Sequence, residues 1–183
     1  MGIRPILGKY ANKYRQWRLK RLIRKSGGTV KGIVDISGTL TFGKGITISG
    51  KGIDTTARSQ IFVCKGANLY IGDYSGITQT SIYCKRNIHI GKYVKIGAGC
   101  LIMDSNFHSL NWKHRMDSKT DNANTTSTSV IIEDHAFIGA RSIICKGVRI
   151  GERSIIAAGS VVTKNIPEGE IWGGNPAIFI RKI

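Results

Sequence analysis

Residues 130–162 read VIIEDHAFIGARSIICKGVRIGERSIIAAGSVV. Every sixth position from 132 is a β-branched aliphatic: Ile132, Ile138, Ile144, Ile150, Ile156 and Val162. The residue that follows is often glycine or small, as at Gly139, Gly151 and Ala157, and the residue four on is small or aliphatic, as at Ala136, Ser142, Val148, Ser154 and Ser160. A period of six is neither the 3.6 of a helix nor the 2 of a simple strand. It suits a short strand plus a corner, used three times per coil, so that one coil takes about 18 residues and stacked coils align their aliphatics into ladders. Glycine is expected at corners where φ is positive or where a side chain has no room.

The same template fits Ile90, Ile96 and Ile102, then Ile71 and Ile77, and further back Val30, Ile36, Phe42 and Ile48. Between 48 and 71, and around 83–90, the register slips. The array therefore runs from about 30 to 170 and makes roughly six coils.

With 183 residues, 23 glycines, 3 prolines and 41% hydrophobic residues, the chain has the size and composition of one soluble β-rich domain. Cys64, Cys84, Cys100 and Cys145 show no CxxC pairing and read as reduced packing residues of a cytosolic protein. No run of 18 apolar residues is present, and the N-terminus lacks the apolar core and cleavage site of a secretory signal. Lys and Arg number 28 against 11 Asp and Glu. Residues 1–34 alone hold ten of those cations and no acid. Nucleic acid, an anionic membrane and a phosphorylated cofactor are the candidate partners for such charge.

The hexads together with IGERSIIAAGSVVTKNIPEGEIWGGNPA resemble the hexapeptide-repeat acyltransferases over about residues 30–183. The resemblance implies an all-β fold, a left-handed parallel β-helix, to which the repeats give roughly six coils and one protruding loop and the basic residues ahead of it add an N-terminal amphipathic helix. The segmentation expected is 1–28 for helix and linker, 29–171 for the β-helix acyltransferase domain with loop 105–129, and 172–183 for a C-terminal tail. It also implies a homotrimer with active sites in clefts between subunits. Residues 104–112, DSNFHSLNW, followed by a polar stretch, are similar to the bacterial sugar O- and N-acetyltransferases of surface-polysaccharide synthesis.

Residues 105–129 lack the hexads and are dense in Asn, Asp, Ser and Thr, which reads as a loop. A loop this long inside a compact array is usually functional. Transfer of an acyl group to a sugar hydroxyl needs a base, and a neutral imidazole suits that task near pH 7. The resemblance gives that role to His108. Asp104 is expected to hold the other imidazole nitrogen, with capping of the corner or contact with the acceptor as its alternatives. His89 and His135 fall at outward positions, and His114 lies in the loop. A γ-class carbonic anhydrase shares the implied fold, but the His108–His114 spacing, without a convincing third ligand, does not resemble its zinc site. No metal is expected.

The resemblance further implies acetyl-CoA as acyl donor, laid between subunits. Thr163 and Lys164 match positions near its adenosine end, and Ala140 and Ala158 match positions whose backbone bonds the pantetheine arm. Phe137 stands where relatives carry a Trp that can flank the thioester arm, with packing alone as the alternative, and Arg181 matches a basic position that can meet the 3′-phosphate. Ile178 departs from the usual Lys or Arg.

Residues 6–25, ILGKYANKYRQWRLKRLIRK, read as a helix with Ile3, Ile6, Leu7, Tyr10, Tyr14 and Trp17 on one stripe, Ile23 off it, and a stop at 26–28. Packing on the coil or on a neighbouring subunit, contact with an anionic membrane leaflet, and nucleic-acid binding are all open to it. The expected protein is thus a cytoplasmic acetyltransferase, peripheral at the membrane if the helix docks there. The alternative is a non-catalytic β-helix scaffold with the basic helix as its working part.

Overall fold

The computed structural model describes residues 59–183 and, ahead of them, 14, 17, 20–21, 23–25, 27–30, 32–36, 39–42 and 47–49. Among the described residues successive strands step through three sheets of eight, six and five strands, parallel except for the last strand of the first, which form the faces of a solenoid of about six turns. The fold is a left-handed parallel β-helix.

The hexad aliphatics meet as expected. On the first face Val30, Ile48, Ile77, Ile96, Ile138 and Ile156 lie in register, ending at Trp172. On the second the column is Val34, Ile61, Ile82, Ile102, Ile144, Val162. On the third it is Phe42, Ile71, Ile90, Ile132, Ile150, continued by a bridge to Ile166. From residue 59 onward these aliphatics are almost wholly buried and form one core. Each such isoleucine contributes about 1.5–3 kcal/mol on burial. The hexads put Ile36 in the second column, whereas the register puts Val34 there. Gly32–Ile36 is a five-residue strand, and its alternation offers a second position of the same parity, Ile36, which pairs with Val63.

The spacing is 18 residues from Val30 to Ile48 and again in the C-terminal part, as from Ile138 to Ile156. Between these it is longer: 29 from Ile48 to Ile77, 21 from Ile61 to Ile82 and 19 from Ile77 to Ile96. Ile90 to Ile132 spans 42 residues, so the loop inserts 24 into an 18-residue coil without breaking the stack.

The glycine after the hexad aliphatic is there for space. A Cβ at Gly139 would lie 2.5 Å from the Ala158 nitrogen of the next coil. Positive φ falls elsewhere, on Tyr74, Tyr93, His135 and Arg153, which occupy equivalent places at one corner. Inside the corners, hydroxyls serve the backbone: Ser142 Oγ donates to Gly139 O (2.8 Å) and Ser160 Oγ to Ala157 O (2.6 Å). Among the described residues no buried side-chain nitrogen or oxygen lacks a partner.

Both ends of the array are covered. At the C-terminal end Glu170–Gly173 joins the first face beside Ile155–Ile156, and Ile178–Lys182 folds back antiparallel on it. The tail is therefore paired backbone, which blunts the sheet edge. At the N-terminal end Tyr14, Trp17, Lys20, Arg21 and 23–25 are helical. Ile23, off the sequence stripe, is the side chain buried with the core, while Tyr14 and Trp17 stay exposed. The rest of the stripe, Ile3, Ile6, Leu7 and Tyr10, lies outside the described residues. Among the described residues no helix is long and apolar enough to cross a membrane.

Candidate active site

The loop leaves the corner after Leu101–Met103 and returns at Val130–Ile132. Its base is zipped: Ser105 bridges Ser127, Asn106 N–H donates to Thr126 O (3.1 Å) and Thr128 N–H to Asp104 O (2.9 Å). It is more ordered than its polar composition predicts. It holds a 3₁₀ turn at His114–Met116 and a helix, α1, at Ser118–Ala123. Asp117 caps α1 by accepting from Thr120 N–H (2.8 Å) and Thr120 Oγ1 (2.9 Å), and these bonds hold its carboxyl below the usual carboxylate range.

The cap directs Asp121, one turn further on, back toward the start of the loop. Its Oδ2 lies 2.6 Å from His108 Nδ1, and its Oδ1 accepts the Ser109 N–H at 2.7 Å. The Asp121 side chain is 11% exposed and the His108 side chain 69%. The bond from His108, followed by that from Ser109, lowers the Asp121 carboxyl, which stays ionised at neutral pH. An ionised carboxylate only accepts, so Nδ1–H is the donor of the short contact. In the neutral imidazole Nε2 is then the lone-pair nitrogen, and the side chain reaches solvent.

The partner expected for His108 was Asp104, and here the structure corrects the reading. Asp104 is fully buried. Its Oδ1 accepts from Lys85 N–H (2.7 Å), and its Oδ2 from Arg86 N–H (2.8 Å) and Asn87 N–H (2.7 Å). It closes the corner of the preceding coil, the capping alternative named for it. Cys84 lies beside it at 3.7 Å. Burial, and then that carboxylate, push the Cys84 thiol up to about 12, so no nucleophilic thiolate forms there.

Sequence reasoning missed Asp121. The available signal was local: an N-cap Asp117 with Thr120 three residues on marks a helix start, and Asp121 sits on its first turns. Nothing in the hexads says where that short helix packs.

The other histidines have their own partners. His114 Nδ1 is 3.0 Å from Ser109 Oγ, and Arg115 donates to Ser109 O at 2.7 Å, so both brace the turn that carries His108. His89 stacks on Tyr70 (4.6 Å) and His135 on Tyr93 (5.0 Å) at outward positions. Among the described residues no three His, Cys, Asp or Glu side chains converge to hold a metal.

The residues expected to meet the acyl donor lie elsewhere on the solenoid. Phe137, 46% exposed, projects from the first face between Lys95 and Ile155 of the neighbouring coils. Ala140 and Ala158 stack at the corner between first and second faces, where Gly159 N–H donates to Ala140 O (2.8 Å). Their own N–H groups have no acceptor among the described residues. Thr163 and Lys164 are exposed after Val161–Val162, and Arg181 is exposed on Ile178–Lys182. His108 leaves from the corner between second and third faces. One chain therefore presents His108 and the Ala140–Ala158 row on different corners.

Residues 129–164 match the family described as the hexapeptide repeat of succinyl-transferase. A 2,3,4,5-tetrahydropyridine-2,6-dicarboxylate N-acetyltransferase of Staphylococcus aureus is 44% identical over 57 residues, covering 31% of this chain and 24% of that protein. The mitochondrial gamma carbonic anhydrase 2 of Arabidopsis thaliana is 44% identical over 69 residues, covering 34% and 25%. The match thus spans about a quarter of the length of these curated relatives.

Among solved structures, a hexapeptide-repeat acetyltransferase of Vibrio cholerae complexed with acetyl coenzyme A has a TM-score of 0.54 at 24% identity, covering 93% of this chain and 77% of that one. A variant of AntD, an N-acyltransferase of Bacillus cereus, in complex with dTDP and coenzyme A, has a TM-score of 0.66 at 20% identity, covering 85% and 79%. Residues 129–164 carry the hexapeptide repeat, and the fold of the chain is the one these two solved structures share.

Proposed function

We propose that this protein transfers an acetyl group from acetyl-CoA to a hydroxyl, or an amine, of a sugar in surface-polysaccharide or glycan synthesis. The observation that carries the reading is the Asp121–His108 pair, which leaves a solvent-facing Nε2 able to take a proton. The solved neighbours complexed with acetyl coenzyme A, or with coenzyme A and dTDP, support the donor and a sugar-nucleotide type of acceptor.

In the proposed reaction His108 Nε2 removes the acceptor proton as the acceptor oxygen or nitrogen attacks the thioester carbonyl carbon. The carbonyl oxygen takes up negative charge, and a free backbone N–H of the Ala140–Ala158 row is suited to receive it. Collapse re-forms the carbonyl, breaks the carbon–sulfur bond, and the imidazolium returns its proton to the leaving CoA thiolate. Asp121 stays ionised throughout and steadies the imidazolium. Phe137 flanks the thioester arm, while Thr163, Lys164 and Arg181 serve the nucleotide end of the donor.

Because His108 and the Ala140–Ala158 row sit on different corners of one chain, the site is completed by a second copy in a homotrimer. The basic residues 1–25 supply a peripheral contact with an anionic membrane, which suits a lipid-linked acceptor.

The test is release of free CoA from acetyl-CoA by the purified protein across sugars, nucleotide-sugars and lipid-linked sugars, beside His108→Ala. Acceptor-dependent release that falls at least 10²-fold in the variant is the expected result. Absence of both donor binding and turnover would overturn the reading in favour of a scaffold.

A further inference from the structure

The helical residues end in a fixed geometry. Ile23 is buried in the core, Gly27 N–H donates to Arg24 O (3.0 Å) and Gly28 N–H to Ile23 O (2.9 Å), and the chain then enters the strand Thr29–Val30. The last helical turns are thus anchored to the first coil. Beside them lies an open groove of about 430 Å³ lined by Trp17, Lys20, Arg21, Arg24 and Lys25. It holds four cations and no acid. Among the described residues none of the four enters an ion pair. Cations gathered at one end of an anchored helix repel one another unless an anion joins them.

The aromatic next to them narrows the partner. Trp17 is 54% exposed and Tyr14 61%. Their rings stack at 6.0 Å, and the Arg21 guanidinium sits 5.3 Å over the indole. Trp and Tyr beside Lys and Arg are the side chains that settle at the headgroup level of a bilayer. A nucleobase would need an open ring face to stack on, whereas Trp17 already has Tyr14 and Arg21 against its ring.

We propose that Trp17, Lys20, Arg21, Arg24 and Lys25 form a binding site for the phosphate headgroups of an anionic bilayer, with Trp17 and Tyr14 seated at the interface. This rests on the peripheral membrane contact proposed above and assigns it to one groove. The lysines and arginines neutralise phosphate charge, and the buried Ile23 keeps the groove at a set orientation to the coils. Docking by this end of the solenoid holds the protein at the surface where a lipid-linked acceptor lies.

The experiment is co-sedimentation of the full chain with vesicles of phosphatidylcholine alone or with about one-third phosphatidylglycerol. Arg21→Gln with Arg24→Gln, and Trp17→Ala, are compared with the unaltered chain, with circular dichroism as the control for folding. The expected result is binding to anionic vesicles only. Lys and Arg near an anionic surface each add to the attraction, so the double variant should bind at least tenfold more weakly. Trp17→Ala should weaken binding at equal salt. A chain that sediments with anionic vesicles but is unchanged by the double variant would overturn the groove while leaving a membrane contact standing. A chain that binds no vesicle would overturn both, as would binding of free inorganic phosphate or RNA in its place. None of these outcomes depends on turnover, so the acyl-transfer reading is tested separately.

Discussion

His108 Nδ1 and Asp121 Oδ2 meet at 2.6 Å across thirteen residues of loop. The contact fixes the tautomer of the imidazole and leaves Nε2 as the basic nitrogen. Replacement of Asp121 by Asn keeps the shape but offers an amide in place of an anion. The expected outcome is a kcat about 10- to 100-fold lower with an unchanged KM for acetyl-CoA. A steady-state pH profile of the variant checks the role, because a merely structural Asp121 would leave the acidic limb, on which the base is lost by protonation, where it was.

Asp104 should behave in the opposite way. Asp104→Ala leaves the N–H groups of Lys85, Arg86 and Asn87 without their buried acceptor, at a cost of about 3–5 kcal/mol. Denaturant titration should read this as a lower midpoint, with Asp104→Asn losing less. At temperatures where the variant stays folded, turnover per folded molecule should be close to normal. A stable but slow Asp104→Asn would instead put Asp104 in the reaction.

The acid side of the stability curve follows from the lowered carboxyls. Asp121 and Asp117 both titrate below their unfolded value of about 4. A depressed carboxyl contributes stability that is fully present above the unfolded value and is lost as pH falls through the folded one. The contribution of these two carboxylates should therefore be fully present above about pH 4 and be lost as the pH falls further. Hydrogen exchange at the Ser109 amide, which Asp121 accepts, is the local readout, and Asp121→Asn should flatten its pH dependence.

Two glycines separate lack of space from positive φ. Gly139→Ala drives a Cβ against the Ala158 nitrogen at 2.5 Å and the Ile156 oxygen at 2.7 Å, and the coils must part, at about 1–3 kcal/mol. Gly159 has φ of +74° and nothing within 4 Å of its added Cβ, so Gly159→Ala costs about 1 kcal/mol, from backbone strain alone. Thermal melts should rank the two in that order.

The repeat was legible because identical burial demands recur at every coil. Ile138, Ile144 and Ile150 each fill the same kind of position, so the pattern is written many times over. The two-residue difference between Ile36 and Val34 was not legible, because a five-residue strand offers two positions of the same parity and the sequence cannot choose between them. His108 stood out through its place in DSNFHSL at the edge of the array. Asp121 did not, because its role is created by one packing event inside an irregular loop.

The sequence by itself determined the solenoid, the length of its coils in 130–162, the site of its interruption and the basic character of its N-terminal end. All of these follow from local periodicity and composition, which each hexad states independently. Only the tertiary structure decided which carboxylate serves the histidine. Asp104 and Asp121 flank it in sequence, four residues before and thirteen after. The nearer one is drawn into the corner by three backbone N–H groups, and the farther one is swung onto the imidazole by a capped helix.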